Sequence, residues 1–351
     1  MRLEPIIDKI NAGQRIDARE ALDLFHGADL LTMGRLANQK RFDHHPEHQV
    51  TFVVDRNINY TNICVSGCRF CAFYAVPGSD NGYILSQKEI GDKIQETLDL
   101  GGTQILLQGG MHPDLEIDFY VDMLEFIKKN YPIHVHGFSP PEINFIARKS
   151  KLTIEQTVEI LKKAGLDSIP GGGAEILCDE IRQKASPNKC GAKAWLEVMR
   201  KAHKAGMRSS ATMMFGHLEQ DIHIIEHLAK IRALQDETKG FTAFIPWTFQ
   251  PQNTRINVPK TTSAEYLKVL ALSRIFLDNI DNVQASWVTQ GDKIAQLALF
   301  FGANDMGSTM IEENVVKSAG VDFMLPEQEL RRLIETAGFE ACQRDCYYTL
   351  L

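Results

Sequence analysis

From Thr51 onward the chain alternates short apolar, β-branched segments with longer amphipathic ones. The apolar segments predict strands over residues 51–54, 104–108, 133–138, 166–169, 209–215, 241–247, 282–287 and, more briefly, 303–307. Helical periodicity fills the intervals. Three of the helices open on the pairs Ser86/Glu89, Thr153/Gln156 and Thr262/Glu265, where each side chain can satisfy the other residue's exposed backbone N–H. Eight strand–helix repeats without a long linker predict an α/β fold, a (β/α)8 TIM-type barrel, because a repeated right-handed crossover returns the last strand to the first. An open doubly wound sheet is the alternative. Residues 1–50 read as an N-terminal helical extension, with Asp17 capping "AREALDLF", placed over the bottom or side of a barrel spanning 51–351. A last helix over 325–338 precedes what reads as a short tail.

Composition narrows the class. The 351 residues are 44% hydrophobic and 24% charged, with a net charge of −7 whose basic residues are interspersed among acidic ones. Nucleic-acid and membrane partners are therefore not expected. The N-terminus lacks the apolar centre of a signal peptide, so a reducing cytoplasm is expected, with Cys178, Cys190, Cys342 and Cys346 as free thiols.

Barrel enzymes place chemistry on the loops that follow the strands, and the unusual segments fall there: "QGGMHP", "SPPE", "PGGGAE", "GHLE", "TFQPQNT" and "TQG". After the first strand comes "NICVSGCRFCAFY", which holds three of the seven cysteines: Cys64, Cys68 and Cys71. Soft thiolates select zinc or an iron–sulfur cluster. A structural zinc site needs a fourth ligand, and no second cysteine pair is suitably placed. A [4Fe-4S] cluster held by three cysteines leaves one iron open. A zinc-stapled binding protein and an iron–sulfur electron relay remain the non-enzymatic alternatives. His134 and His136 alternate on the third strand and face one side, a two-histidine arrangement with no third metal ligand legible in the sequence.

The C-x3-C-x2-C spacing, with Phe70 before the last cysteine, resembles the signature of the radical S-adenosylmethionine superfamily. The resemblance implies a [4Fe-4S] cluster on Cys64, Cys68 and Cys71, and S-adenosyl-L-methionine as the second cofactor. It further implies Phe70, Gly109, Gly110, Glu175 and Gly216 as cofactor-binding residues. Gly109 and Gly110 correspond to the loop that receives the methionine amino group, Glu175 to the ribose acceptor, and Gly216 to an adenine-contacting pattern from which Thr212 departs.

"LLQGGMHPDL", "SIPGGGAEIL", "FIPWTFQPQNT" and "GANDMGSTMIEENVV" are similar to the cyclic dehypoxanthinyl futalosine synthase family of menaquinone biosynthesis, over nearly the whole chain. That likeness implies dehypoxanthine futalosine as substrate, a 5′-deoxyadenosyl radical that removes the ribose C4′ hydrogen, and closure of the new radical onto the benzoate ring. An external donor such as flavodoxin or ferredoxin would supply the electron. Aminofutalosine synthase and the radical subunit of deazaflavin-chromophore synthesis share the cluster loop and stand as alternatives. Expected substrate contacts are Tyr74, Trp247, Phe249, Gln250, Trp287, Asn304 and Glu312. His112 and Asp305 are expected to carry protons, and Arg56, Arg69, Arg208 or Arg255 to hold the substrate carboxylate.

Overall fold

The computed structural model describes residues 3–321 and 323–351. Ten strands follow in order: β1 Gln49–Val53, β2 Asp55–Asn59, β3 Gln104–Gln108, β4 His134–Gly137, β5 Ser168–Ile169, β6 Arg208–Phe215, β7 Phe241–Thr248, β8 Asn282–Val283, β9 Asp305–Ser308 and β10 Glu340–Gln343. Strands β2 to β8 pair in chain order, and β1 lies between β9 and β10, all in parallel. Only Val54 separates β1 from β2, so residues 49–59 form one seam. Its first half pairs with β9 and β10, its second with β3. The remaining gap is bridged by Asn304 N–H to Val283 O (3.0 Å) and Ala285 N–H to Asp305 O (2.8 Å). The ring of strands expected from periodicity is therefore closed.

Three boundaries differ from the sequence reading. The first strand continues through Asp-Arg-Asn-Ile-Asn, a polar stretch buried at every position, because one side of it faces an internal chamber rather than the packed helices. The segment over 282–287 leaves the strand early, and Trp287 opens a short helix, Trp287–Gln290. The expected short tail contains β10, which extends the seam in register, with Gln49 opposite Glu340 and Phe52 opposite Gln343.

The helices begin where their caps predict. Reciprocal capping is present at Ser86/Glu89, Thr153/Gln156, Thr262/Glu265 and Asp17/Glu20. Each such cap contributes about 1 kcal/mol to its helix. The N-terminal helices Glu4–Asn11, Ala18–Gly27 and Leu30–His44 cover the flank of the barrel, the last two against the outer helices Asp221–Thr238 and Ser263–Phe276. Arg15 ties this extension to Asp236 (2.7 Å) and Asp278 (2.6 Å).

Side chains alternate across each strand. On β3, Ile105 and Leu107 are fully buried in the packed core, whereas Gln104, Leu106 and Gln108 line the chamber. On β6, Ala211 and Met213 join the core while Ser210 and Thr212 line the chamber. The barrel thus has an apolar outer surface under its helices and a partly polar interior of ≈ 270 Å³. Among the described residues, no helix is long and apolar enough to cross a membrane.

Candidate functional site

The cysteine loop follows β2 at the mouth of the barrel and is fixed by backbone groups. Cys64 N–H donates to Ala75 O (3.0 Å), Val65 N–H to Met111 O (3.0 Å), Ala75 N–H to Asn62 O (2.8 Å) and Arg69 N–H to Ala185 O (2.8 Å). Two backbone N–H groups point at one sulfur: those of Met111 and Ser66 lie 3.3 and 3.4 Å from Cys64 Sγ. The Ser66 hydroxyl lies 2.9 Å from Cys68 Sγ. Such donors stabilise thiolate over thiol. Arg69 and Arg255, two candidates for a substrate clamp, are spent on this framework: Arg255 reaches Gly67 O (2.5 Å) and Cys68 O (3.1 Å), and Arg69 reaches Lys184 O (3.3 Å). Tyr74 sits under the Arg255 guanidinium, 5.6 Å from ring centre to Cζ, at the rim.

Gly110 presses directly against this loop. A Cβ at that position would stand 2.1 Å from Ile63 O and 2.9 Å from Cys64 Cβ, so no other residue allows β3 and the cysteine loop to approach this closely. Gly109 donates its N–H to Glu142 Oε1 (2.9 Å), on a carboxylate that also accepts from Tyr60 OH (2.8 Å) and Ser139. Glu142 is thereby a buried latch between the loops following β2, β3 and β4. His112, beside the same loop, accepts Asp114 N–H on Nδ1 (3.1 Å), and burial lowers its pKa. It is a neutral imidazole whose remaining proton is on Nε2.

Glu175, after β5, is 6% exposed and adopts a left-handed φ of 42°, a conformation that costs about 1–3 kcal/mol and persists where surrounding structure dictates it. Its carboxylate pairs with Lys189 Nζ at 2.8 Å. Burial pushes the Glu175 carboxyl up, but Lys189 and Arg182 pull it below the ordinary carboxylate range. Lys189 also lies 5.0 Å from the centre of the Phe70 ring. Burial would deprotonate Lys189, and the Glu175 carboxylate beside it holds it protonated. Lys189 thus connects the ribose-acceptor candidate with the cysteine loop. Sequence reading missed it because "SPNKCG" carries no periodic or motif signal.

Gly216 follows β6 with φ +86°, and a Cβ there would meet Thr261 Oγ1 at 1.9 Å. Its N–H, with those of His217 and Leu218 (3.0 Å each), converges on the Glu219 carboxylate. Phe249 is buried with Met214, Ala185 and Ile256, and Phe70 and Trp247 pack on that group. Phe249 therefore stiffens the wall beside the cysteine loop.

Of the expected substrate residues, Trp247 and Trp287 line the chamber. Trp287 Nε1 donates to Ser308 O (2.9 Å), which fixes its ring. Gln250 turns back on Thr248, donating to Oγ1 at 3.0 Å. Asn304 is committed to the scaffold: Oδ1 accepts from Arg274 (2.6 Å) and from Val283 N–H (2.9 Å), and Nδ2 donates to Asn282. Glu312 turns outward to Lys93 (2.6 Å). Its neighbour Glu313 takes the chamber position, accepting from Asn57 Nδ2 (2.9 Å) and capping the helix Asn314–Ser318.

Asp305, expected to be a base, is wholly buried and accepts from Arg344 (2.5 and 3.0 Å), Thr51 Oγ1 (2.5 Å) and Gly307 N–H (2.8 Å). The geometry makes it the anchor of Arg344. Arg344 lines the chamber, whereas Arg56 pairs with Glu96 (2.8 Å) and Arg208 is exposed on a carbonyl, that of Lys239. The carboxylates that do face the chamber are Asp55 and Glu313, and desolvation pushes both above the ordinary carboxylate range.

A model described as the Radical SAM superfamily matches residues 58–231, and one described as the CofH/MqnC C-terminal region matches 238–351. The chain is 46% identical over 353 residues to the cyclic dehypoxanthine futalosine synthase of Halalkalibacterium halodurans, covering 100% of this chain and 95% of that one. The chain belongs to the radical SAM superfamily. A second cyclic dehypoxanthine futalosine synthase, from Streptomyces coelicolor, is 43% identical over 351 residues, covering 99% of this chain and 88% of the relative. The 5-amino-6-(D-ribitylamino)uracil–L-tyrosine 4-hydroxyphenyl transferase of Methanopyrus kandleri is 40% identical over 343 residues, covering 95% and 93%. Among solved structures, the FeFe-hydrogenase maturase HydG from Carboxydothermus hydrogenoformans superposes with a TM-score of 0.76 at 17% identity, covering 99% of this chain and 80% of the other. Methylornithine synthase gives 0.70 at 16%, covering 95% and 96%. These two likenesses concern the fold alone.

Membership of the radical SAM superfamily implies a [4Fe-4S] cluster and S-adenosylmethionine, and the donor set fits the cluster. Three cysteines on one loop receive N–H and O–H donors, with the Lys189 ammonium nearby to offset negative charge. Among the described residues, the one trio of metal-capable atoms found within 4.8 Å of one another lies elsewhere. A single tetrahedral zinc would draw three sulfurs to roughly 3.8 Å spacing.

Proposed function

We propose that this radical SAM enzyme cyclises dehypoxanthine futalosine to cyclic dehypoxanthinyl futalosine. The observation that carries the reading is the 46% identity to a cyclic dehypoxanthine futalosine synthase across the full chain, including the C-terminal region that supplies Trp287, Glu313 and Arg344 to the chamber. When bound, the cluster and S-adenosylmethionine supply the 5′-deoxyadenosyl radical. Cys64, Cys68 and Cys71 hold the cluster. Glu175 accepts the ribose hydroxyls, exchanging its Lys189 partner for them, and Phe70 and Gly216 bound the adenine side.

Trp247 and Trp287 press the acyclic benzoate-ketone chain back over the ribose, so that the reacting carbons meet in a defined geometry. The helix Asn314–Ser318, capped by Glu313, covers the chamber and keeps water from the radical. After ring closure, loss of a proton and of one electron, which the cluster in its oxidised state would accept when bound, restores the aromatic ring. Asp55 and Glu313, whose carboxyls desolvation raises above the ordinary carboxylate range, are the proton acceptors at the chamber wall. An external flavodoxin or ferredoxin provides the reducing electron at the cysteine-loop rim.

The test is product analysis with anaerobically reconstituted enzyme, S-adenosylmethionine, reductant and dehypoxanthine futalosine. A spirocyclic product of unchanged carbon count, formed with 5′-deoxyadenosine, is expected. An adenosyl adduct, or hydroxyphenyl transfer from tyrosine in place of cyclisation, would overturn the assignment.

A further inference from the structure

At the end of the barrel opposite the cysteine loop, the C-terminal tail turns inward after β10. His134 and His136 on β4 meet Cys346 of that tail, and their ligand atoms all lie within 4.8 Å of one another. The Ser168 hydroxyl stands among them, 2.7 Å from His134 Nε2, 2.6 Å from His136 Nδ1 and 3.3 Å from Cys346 Sγ. We propose that His134, His136 and Cys346 bind a zinc-type divalent cation that fastens the tail to the floor of the barrel. The third ligand, unreadable in the sequence, comes from a residue more than two hundred positions away.

Two imidazole nitrogens and one thiolate are a zinc donor set, and zinc's fourth position suits the Ser168 hydroxyl or a water molecule. Zinc–ligand distances of about 2.0–2.3 Å require the three side chains to close by roughly 1 Å. The tail is positioned to allow this, since Cys346 lies in a turn rather than in a strand. The other nitrogen of His136 faces Ser210 Oγ at 3.4 Å, and the His134 ring meets the Tyr347 ring edge-on at 5.1 Å. The nearby Arg344 charge is already neutralised by Asp305, so the cation does not face an unpaired positive group. Because Arg344 and Tyr348 flank Cys346 in the chamber lining, the metal would set the depth of the chamber. The proposal does not rest on the identity of the substrate.

The experiment uses cluster-loaded full-length enzyme, dialysed against zinc and then freed of excess. Expected are close to one zinc per chain and a zinc K-edge absorption spectrum with one sulfur and two imidazole ligands. C346S should lose the sulfur signal and weaken zinc binding at least tenfold, with iron content and S-adenosylmethionine binding unchanged. H134Q should weaken zinc binding similarly, which covers the case in which C346S does not fold. Absence of zinc uptake, or zinc retained with its sulfur ligand in C346S, would overturn the proposal and leave a hydrogen-bonded cluster around Ser168.

Discussion

At the mouth of the barrel the cysteine loop is held largely by backbone hydrogen bonds to neighbouring loops, whereas at the floor the tail, once β10 has paired with β1, is pinned by the buried Arg344–Asp305 side-chain pair. The mouth gathers the cysteines beside a buried ion pair, Lys189–Glu175, on the neighbouring loop. The floor is different: Asp305 spends its oxygens on Arg344, Thr51 and Gly307 and has no part free for chemistry. A buried carboxylate in a barrel enzyme is therefore not a catalytic group by virtue of burial. What matters is whether its hydrogen-bonding capacity is already used.

Substitutions at the two ends should fail in different ways. The largest effect is expected at the mouth. Cys68→Ala should abolish cluster binding and 5′-deoxyadenosine formation while the folded barrel persists, measured by iron content and circular dichroism together. Turnover with a full complement of iron would remove Cys68 from the ligand set.

At the floor, Asp305→Ala leaves the Arg344 guanidinium buried without its counter-ion, a change that costs about 3–5 kcal/mol. Urea denaturation should show that loss with the cluster still bound. A midpoint equal to wild type would mean that the floor is not held by this pair.

Glu175→Gln should act mainly on binding. Losing a charged acceptor weakens cofactor affinity by about 1.5–3 kcal/mol, roughly 10- to 100-fold. Calorimetric titration with S-adenosylmethionine checks this, and unchanged affinity would take Glu175 out of the ribose role.

The smallest effect is a pH slope. His227 is fully buried, accepts Leu177 N–H on Nδ1 at 3.1 Å, and burial lowers its pKa from 6.5 to about 3. The unfolded chain thus takes up a proton that the folded chain refuses. The His227 contribution is complete above pH 6.5 and is lost as pH falls toward 3, at roughly 1.4 kcal/mol per pH unit. Urea midpoints at pH 7 and pH 5 should converge in His227→Gln. The segment released first should be the one carrying Glu175, which lies two residues before Leu177.

The contrast between the two ends also explains what the sequence disclosed. Local signals carry the outer barrel: strand alternation, the Ser86, Thr153 and Thr262 caps, and the three-cysteine spacing all reside within short windows. Polar residues inside the barrel break those signals. The first strand reads as ending at Val54 because the inward side chains of Asp55–Asn59 face a chamber, and Glu312 reads as the chamber residue in place of Glu313 because helix capping, not spacing, decides which of the two turns inward. The floor is built from partners far apart in the chain, 254 positions for Thr51 and Asp305 and 291 for Gln49 and Glu340, and no local pattern announces such a meeting.

The seam formed by residues 49–59 has a consequence for how the protein is made. Ribosomes extend a chain at roughly 5–20 residues per second, so the 254 positions between Thr51 and Asp305 take on the order of 10–50 s. Throughout that interval the first half of the seam emerges with neither of its eventual neighbours yet synthesised, an unsatisfied edge of the kind that invites aggregation. Nascent chains of this enzyme should therefore depend on chaperone cover late in translation, and truncations that remove the final strand should accumulate as insoluble material rather than as a smaller working enzyme.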